Sequence, residues 1–384
     1  MDFRPTQEQD LLRVAVASLA AKYGHRYFQE KTAGGGKTDE LWQELGAGGF
    51  LAVHLPEAYG GGGMGIADLA IVCEEVAAAG CPLLMMLVSP AICGTLLSRY
   101  GTEQQRATWL PSLASGRDKM AFAITEPDAG SNSHRISTTA RRDGDEWVLS
   151  GTKYYISGAD EAGAVLVVAR TGTDETTGRA QLSLFIVSSD SQGLTLAPIA
   201  MEIRAPEKQF TLFFDDVTVG TDRLLGDEGE GFRQVFAGLN PERLMSAAIA
   251  SGIGRYALAS ASRYARERII WGTPIGAHQG LAHPLAQAKI QLELARLMAA
   301  KAAWCVDNGI EAAEAANIAK YAAAEAALLA LDQAIQTHGG NGLATETGLA
   351  DLWGLARLMR TAPVSKEMIL NFVAQHSLDL PKSY

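Results

Sequence analysis

Thr125-Glu126-Pro127-Asp128-Ala129-Gly130-Ser131 and Gly151-Thr152-Lys153-Tyr154-Tyr155-Ile156-Ser157-Gly158 are the two stretches whose reading decides the fold. The first leaves an apolar strand, Met120 to Ile124, as a polar turn. Pro127 fixes one φ angle and Gly130 can take a positive one, so N–H groups and hydroxyls can be aimed at a single ligand. The second reads as a β-strand in which an aromatic pair is followed by a small hydroxyl. A flat, hydrogen-bonding, redox-active ring needs such a surface: an aromatic wall and a few placed donors. Each piece alone is weak, since a Pro/Gly turn is usually only a turn.

Around these stretches, residues 119–228 alternate with period two. Strands are expected over Thr138–Arg142, Glu146–Ser150, Ala164–Ala169, Leu182–Val187 and Gln209–Val217, in a small barrel or sandwich. Residues 1–118 read as helices, with apolar residues at helical spacing in Glu8–Tyr23, Asp39–Gly46, Gly65–Ala79 and Pro90–Tyr100. Gly60-Gly61-Gly62-Gly63 reads as a flexible loop within that part. Residues 229–384 return to helix: Glu242–Glu267, Leu281–Asp307, Ala312–Thr337, Thr345–Arg360 and a last helix over Val364–His376. Such long helices on short loops predict a four-helix bundle. The fold class is therefore α+β and multidomain: a helical N-terminal domain, a middle β domain and a C-terminal bundle.

The chain has 384 residues and a net charge of −10, which argues against a nucleic-acid binder. Cys73, Cys81, Cys93 and Cys305 form no C-x-x-C pair and no ligand cluster with histidine, so no metal site is expected and buried free thiols are. The N-terminus lacks a signal-peptide pattern, and Pro82 and Pro90 break the most apolar run. A cytoplasmic protein without membrane insertion is expected.

The two motifs at this spacing resemble the flavin-binding middle domain of the acyl-CoA dehydrogenase family. The resemblance covers essentially the whole length. It also rests on Gly226-Asp227-Glu228-Gly229-Glu230-Gly231-Phe232, Arg268-Ile269-Ile270-Trp271-Gly272, His278-Gln279 and Gln336-Thr337-His338-Gly339-Gly340-Asn341-Gly342. By pattern alone the last is a glycine-rich helix end. The resemblance implies bound FAD and a fatty-acyl thioester of coenzyme A. The reaction it implies is α,β-desaturation: a carboxylate removes the α-proton and the β-hydrogen leaves as hydride to the flavin.

Carried over by position, Thr125, Gly130 and Ser131 match the family's flavin turn. Tyr155 stands where the family has Trp or Phe against the flavin ring, and Ser157 replaces the usual Thr. Arg268 and Gln279, with Trp271 in the same region, match contacts to the adenine and pyrophosphate end across a subunit interface. Gln336, Gly339 and Gly340 match a second diphosphate contact. Ser365 and Glu367 fall where the family approaches the adenosine part of FAD. Such shared contacts imply a homo-oligomer, a tetramer built as a dimer of dimers. An electron-transfer flavoprotein is the implied redox partner.

The base departs from the family's common pattern. The segment that would carry it reads Thr361-Ala362-Pro363-Val364-Ser365-Lys366-Glu367, with no carboxylate in the expected place. The isovaleryl and long-chain types place the base on another helix, and Gly238-Leu239-Asn240-Pro241-Glu242-Arg243-Leu244 puts Glu242 there. Glu242 is therefore the expected base, with Arg243 and Asn240 beside it toward the substrate. The local reading is plainer: Asn240 caps a helix, Pro241 opens it and Glu242 complements the dipole. A helix N-terminus and Arg243 would lower the carboxyl's pKa, and desolvation would raise it. Pro363 has no N–H to offer a thioester carbonyl, so either the register is shifted by one and Ala362 or Val364 donates, which is the favoured reading, or the site has lost its protein donor. An oxidase or monooxygenase on the same platform, or a non-catalytic flavin- or acyl-CoA-binding subunit, are the competing readings.

Overall fold

The computed structural model describes residues 4–176 and 178–382. The N-terminal part holds α1 (Gln7–Ala21), α2 (Gly24–Ala33), α3 (Asp39–Ala47), α4 (Ile66–Ala78), α5 (Thr95–Tyr100) and α6 (Glu103–Ala114). Capping boxes start two of them. Thr6 and Gln9 exchange side-chain-to-backbone bonds at α1, and Thr102 and Gln105 do so at α6. Leu87–Gly94, ahead of α5, is a π-helical segment that contains Pro90. Gly60–Gly63 is not the free loop expected. Gly62 and Gly63 donate to the Ala52 and Leu55 carbonyls, and a Cβ on Gly61 would stand 2.1 Å from the Leu55 oxygen. Glycine is needed there for close packing rather than for mobility.

The middle part is one sheet: β1 (Met120–Ala123), β2 (Thr139–Asp143), β3 (Glu146–Ser157), β4 (Ala164–Thr173), β5 (Ala180–Ser188), β6 (Leu194–Ile199), β7 (Gln209–Gly220) and β8 (Leu224–Leu225). Its order is β6-β7-β3-β2-β4-β5-β8, with β1 parallel to β4. Alternation along β4 divides the packing. Val165, Val167 and Ala169 join Trp147, Phe185 and Phe214 on one face, whereas Leu166 and Val168 join Leu97, Leu110 and Val235 from helices on the other. The β3 strand outruns the expected Glu146–Ser150 and absorbs the second motif as far as Ser157. Bulges between Leu149 and Gly151 and between Lys153 and Ile156 let it bend.

The C-terminal part holds α7 (Gly231–Glu267), a hairpin of β9 (Ile269–Ile270) and β10 (Thr273–Pro274), then α8 (Gln279–Asp307), α9 (Ala313–His338), α10 (Trp353–Thr361) and α11 (Lys366–His376). N- and C-terminal helices share one core. Val16, Trp42, Leu69 and Val76 pack with Met245, Ile253, Leu292, Ala327 and Leu355. All four cysteines are buried and free. Among the described residues no helix is long and apolar enough to cross a membrane.

Candidate active site

The turn at residues 125–131 and the motif end of β3 are joined by backbone and by charge. The Tyr154 amide donates to the Thr125 carbonyl at 2.8 Å. Lys153 Nζ sits 2.9 Å from Glu126 Oε1 and 3.1 Å from the Ile124 carbonyl. Glu126 also accepts from the Ser137 amide and hydroxyl, each at 2.7 Å, and from the Thr138 amide at 2.9 Å. Burial raises the Glu126 pKa, but the Lys153 charge and these donors outweigh it and hold the carboxyl down at about 2. The buried pair fixes the turn so that Gly130 and Ser131 face outward. Gly130 does not use the positive φ expected of it, and nothing lies within 4 Å of where its Cβ would be. The turn is closed by paired bonds between Glu126 and Ala129, so no left-handed residue is required.

At the second bulge of β3, Tyr155 has φ of 57° and is 51% exposed. A left-handed tyrosine is costly, and here it turns a large ring out from the sheet beside Tyr154, centroid to centroid 4.2 Å. Ser157, next inward, donates to Gln209 Oε1 of β7 at 3.0 Å. An exposed aromatic wall therefore stands beside an open polar turn.

Glu242 is not at a helix start. α7 begins at Gly231 and runs through Asn240 and Pro241, so Asn240 caps nothing and no helix N-terminus lowers the carboxyl's pKa. Pro241 only denies its N–H to the Ala237 carbonyl. One turn before Glu242, Gly238 allows α7 to press on the π-helical segment: a Cβ there would stand 3.1 Å from Leu96 Cγ and 3.2 Å from the Ile92 oxygen. Burial raises the thiol pKa of Cys93, on that segment, and the Glu242 charge adds to it. Burial pushes Glu242 itself up to about 7, against the pull of Arg243 and Lys320. Arg243 donates to Asn240 Oδ1 at 2.6 Å, and its buried Nε has no protein partner among the described residues.

The segment after α10 approaches the same region. The Ala362 N–H is used by Leu358 O at 2.8 Å, closing α10, and Pro363 follows with none to give. Among the described residues the Val364 N–H has no protein acceptor, while the Val364 carbonyl accepts from buried Lys320 at 2.5 Å. Ser365 caps α11, accepting from the Met368 amide at 3.3 Å, and Glu367 is exposed in the first turn of that helix.

Arg268, Trp271, Gln279, Gln336, Gly339 and Gly340 are all solvent-exposed in the single chain. Arg268 ends α7, its amide on the Tyr264 carbonyl at 2.8 Å, and Trp271 (φ 49°) tips the β9–β10 hairpin at 89% exposure. Gly339 ends α9 with φ of 60°, and no atom lies within 4 Å of a Cβ placed on Gly339 or Gly340. Bare backbone is therefore open to a ligand at that corner.

Sequence reasoning missed four side chains: Glu126 and Lys153, paired as a clamp, Gln209 behind Ser157, and Lys320. The pair lay inside the quoted motifs as one charge in the turn and one within the strand. Lys320 had only one signal, a lone cation inside an alanine-rich helix. No group of three or more histidine, cysteine or acidic side chains that could hold a metal occurs among the described residues.

Three family models match the chain: the acyl-CoA dehydrogenase N-terminal domain at residues 6–117, the middle domain at 121–217 and the C-terminal domain at 229–378. Acyl-CoA dehydrogenase FadE12 of Mycobacterium tuberculosis is 56% identical over 384 residues, spanning 100% of this chain and 99% of that one. The solved glutaryl-coenzyme A dehydrogenase–glutaryl-CoA complex is 30% identical with a TM-score of 0.93, covering 100% of this chain and 98% of its own. The FAD complex of PigA is 25% identical with a TM-score of 0.92, covering 99% of this chain and 100% of its own.

Proposed function

The chain belongs to the acyl-CoA dehydrogenase family and is an oxidoreductase of that family, and from that premise we propose that it desaturates an acyl-CoA thioester between its α and β carbons, with Glu242 as the base. The observation that carries this reading is the carboxyl of Glu242, buried on α7 and raised to about 7, in a chain whose 361–364 segment holds no carboxylate. A base with a pKa near neutrality is both ionised in part and strong enough to accept a proton.

FAD fits the residues present. Tyr155 offers an exposed ring face, the Thr125–Ser131 turn offers hydroxyls and amides, and the Gly339–Gly340 corner offers bare backbone. When bound, FAD supplies the hydride acceptor. Tyr155 and Ser157 would hold the ring, and Arg268, Trp271, Gln279, Gln336, Ser365 and Glu367 the rest of the dinucleotide. Glu242 takes the α-proton. The Val364 N–H is the donor left for the thioester carbonyl, since Ala362 has spent its own on Leu358. Polarising that carbonyl makes the α C–H acidic enough for a carboxylate, and a single such donor is typically worth about 2.7–4 kcal/mol.

Two partners complete the reading. Electrons leave to an electron-transfer flavoprotein in the cytoplasm. A second copy of the chain completes the dinucleotide site, within a tetramer. In support, α8 leaves Ile290, Leu294, Leu297 and Trp304 between 45% and 58% exposed along one helical face, an apolar stripe that needs covering. Anaerobic mixing with butyryl-, octanoyl-, palmitoyl- and isovaleryl-CoA tests the function. Bleaching of the flavin band by at least one of them supports it. No bleaching by any, with FAD bound, would overturn it.

A further inference from the structure

Lys320 is 1% exposed, among the largest fully buried side chains of the molecule. It projects from α9 between Ala316, Ala319, Ala323 and Ala324, all buried. Among the described residues its hydrogen bond goes to a neutral acceptor, the Val364 carbonyl. Burying an ammonium is expensive, and an amide or hydroxyl could tie a turn more cheaply. The charge therefore needs another use. The charged groups around it come from two other elements: Glu242 and Arg243 on α7, and Glu367 on α11. Val364 begins the short stretch between Pro363 and α11, and its N–H has no protein acceptor among the described residues.

We infer that Lys320 is a positioning residue for the reaction: it ties the Val364 carbonyl to the bundle and holds a positive charge within reach of the Glu242 carboxyl. The inference rests on the reading of Glu242 as base. Lys320 touches neither substrate nor ring. It works through the two groups that do, fixing the place of Val364 and offsetting the burial that disfavours ionised Glu242. Burial lowers the Lys320 pKa to about 8 while Glu242 raises it, so the cation persists at neutral pH.

The test uses FAD-loaded protein and the variants Lys320→Met and Lys320→Gln. Methionine removes bond and charge; glutamine keeps an N–H donor for Val364 without charge. Both replace a desolvated ion with a neutral chain of similar length, and either one suffices. Infrared titration follows the protonated-carboxyl band assigned by its loss in Glu242→Gln. The midpoint is expected to rise by about one pH unit or more in both variants, the usual scale for loss of a nearby opposite charge. Flavin reduction by the best acyl-CoA should fall about tenfold near pH 7 and recover as pH rises, less completely in Lys320→Met. A midpoint that stays put in both variants overturns the inference, as does a rate loss equal at every pH. Undiminished flavin reduction in Glu242→Gln removes the base assignment itself, whatever the titration reads.

Discussion

Lys153 Nζ lies 2.9 Å from Glu126 Oε1 with the two side chains 0% and 3% exposed, and this pair locks the turn at residues 125–131 to the exposed end of β3. The pair is the hinge between the two motifs that present Tyr155 and Ser131. Each ion is tolerable only because the other is there, together with the Ser137 and Thr138 donors.

Lys153→Met should therefore cost about 3–5 kcal/mol, because it strands a buried carboxylate. Replacing both partners by apolar residues should cost much less. Urea unfolding of the two single variants and the double variant checks this. FAD should dissociate faster from the single variants, since the turn loses its anchor.

The same pair sets an acid limit. The Glu126 carboxyl is held at about 2, below its ordinary value near 4.3. Its contribution is fully present above the unfolded value and is lost as pH falls from about 4 toward 2. Glu126→Gln should be less stable at neutral pH and should show a shallower loss of stability over that interval. Unfolding midpoints measured from pH 5 downward decide it.

Tyr155→Phe should keep FAD, whereas Tyr155→Ala should weaken it about two- to tenfold, the range for one aromatic contact. Fluorescence of released flavin on dilution measures the change. Equal retention in both variants would remove Tyr155 from the ring wall.

Much of the fold could be read because its periods are clean. The β4 and β5 strands alternate between two cores, and the long helices carry alanine and leucine at helical spacing. The residues that escaped did so for physical reasons. Asn240-Pro241 has the chemistry of a helix start, yet tertiary packing of Gly238 on the π-helical segment carries α7 straight through it. The β6 strand lies at a sheet edge with Pro198 in it, so neither propensity nor pattern marks it. Lys320 resembles any solvated cation of an exposed helix, and only the packing of α9 under the 361–365 turn buries it.

Leu294→Glu should split the proposed tetramer. Leu294 is 58% exposed at the middle of the α8 stripe with Ile290 and Leu297, where a charge would have to be desolvated in any interface that covers it. Light scattering should show a smaller species with weaker FAD retention. An unchanged mass would place the interface elsewhere.

Glu242→Gln should leave FAD in place and slow its reduction by acyl-CoA by about 10²- to 10⁴-fold, the usual loss for a positioned base. The amide is nearly the same shape but cannot take the α-proton, and the flavin-facing motifs lie on other elements. In the unsubstituted protein the reduction rate should climb with pH through about 7, where burial has moved this carboxyl. Glu367→Gln, exposed on α11, should keep that limb. Stability must move the other way. Folded Glu242 holds its proton to about 7 while the unfolded carboxyl loses it near 4.3, so the folded protein binds more protons in between and loses stability as pH rises through that window. Glu242→Gln removes that slope. Stopped-flow reduction and unfolding midpoints, both taken from pH 5 to 8, therefore read the same carboxyl twice. A rate limb without the matching stability slope would assign the limb to another group.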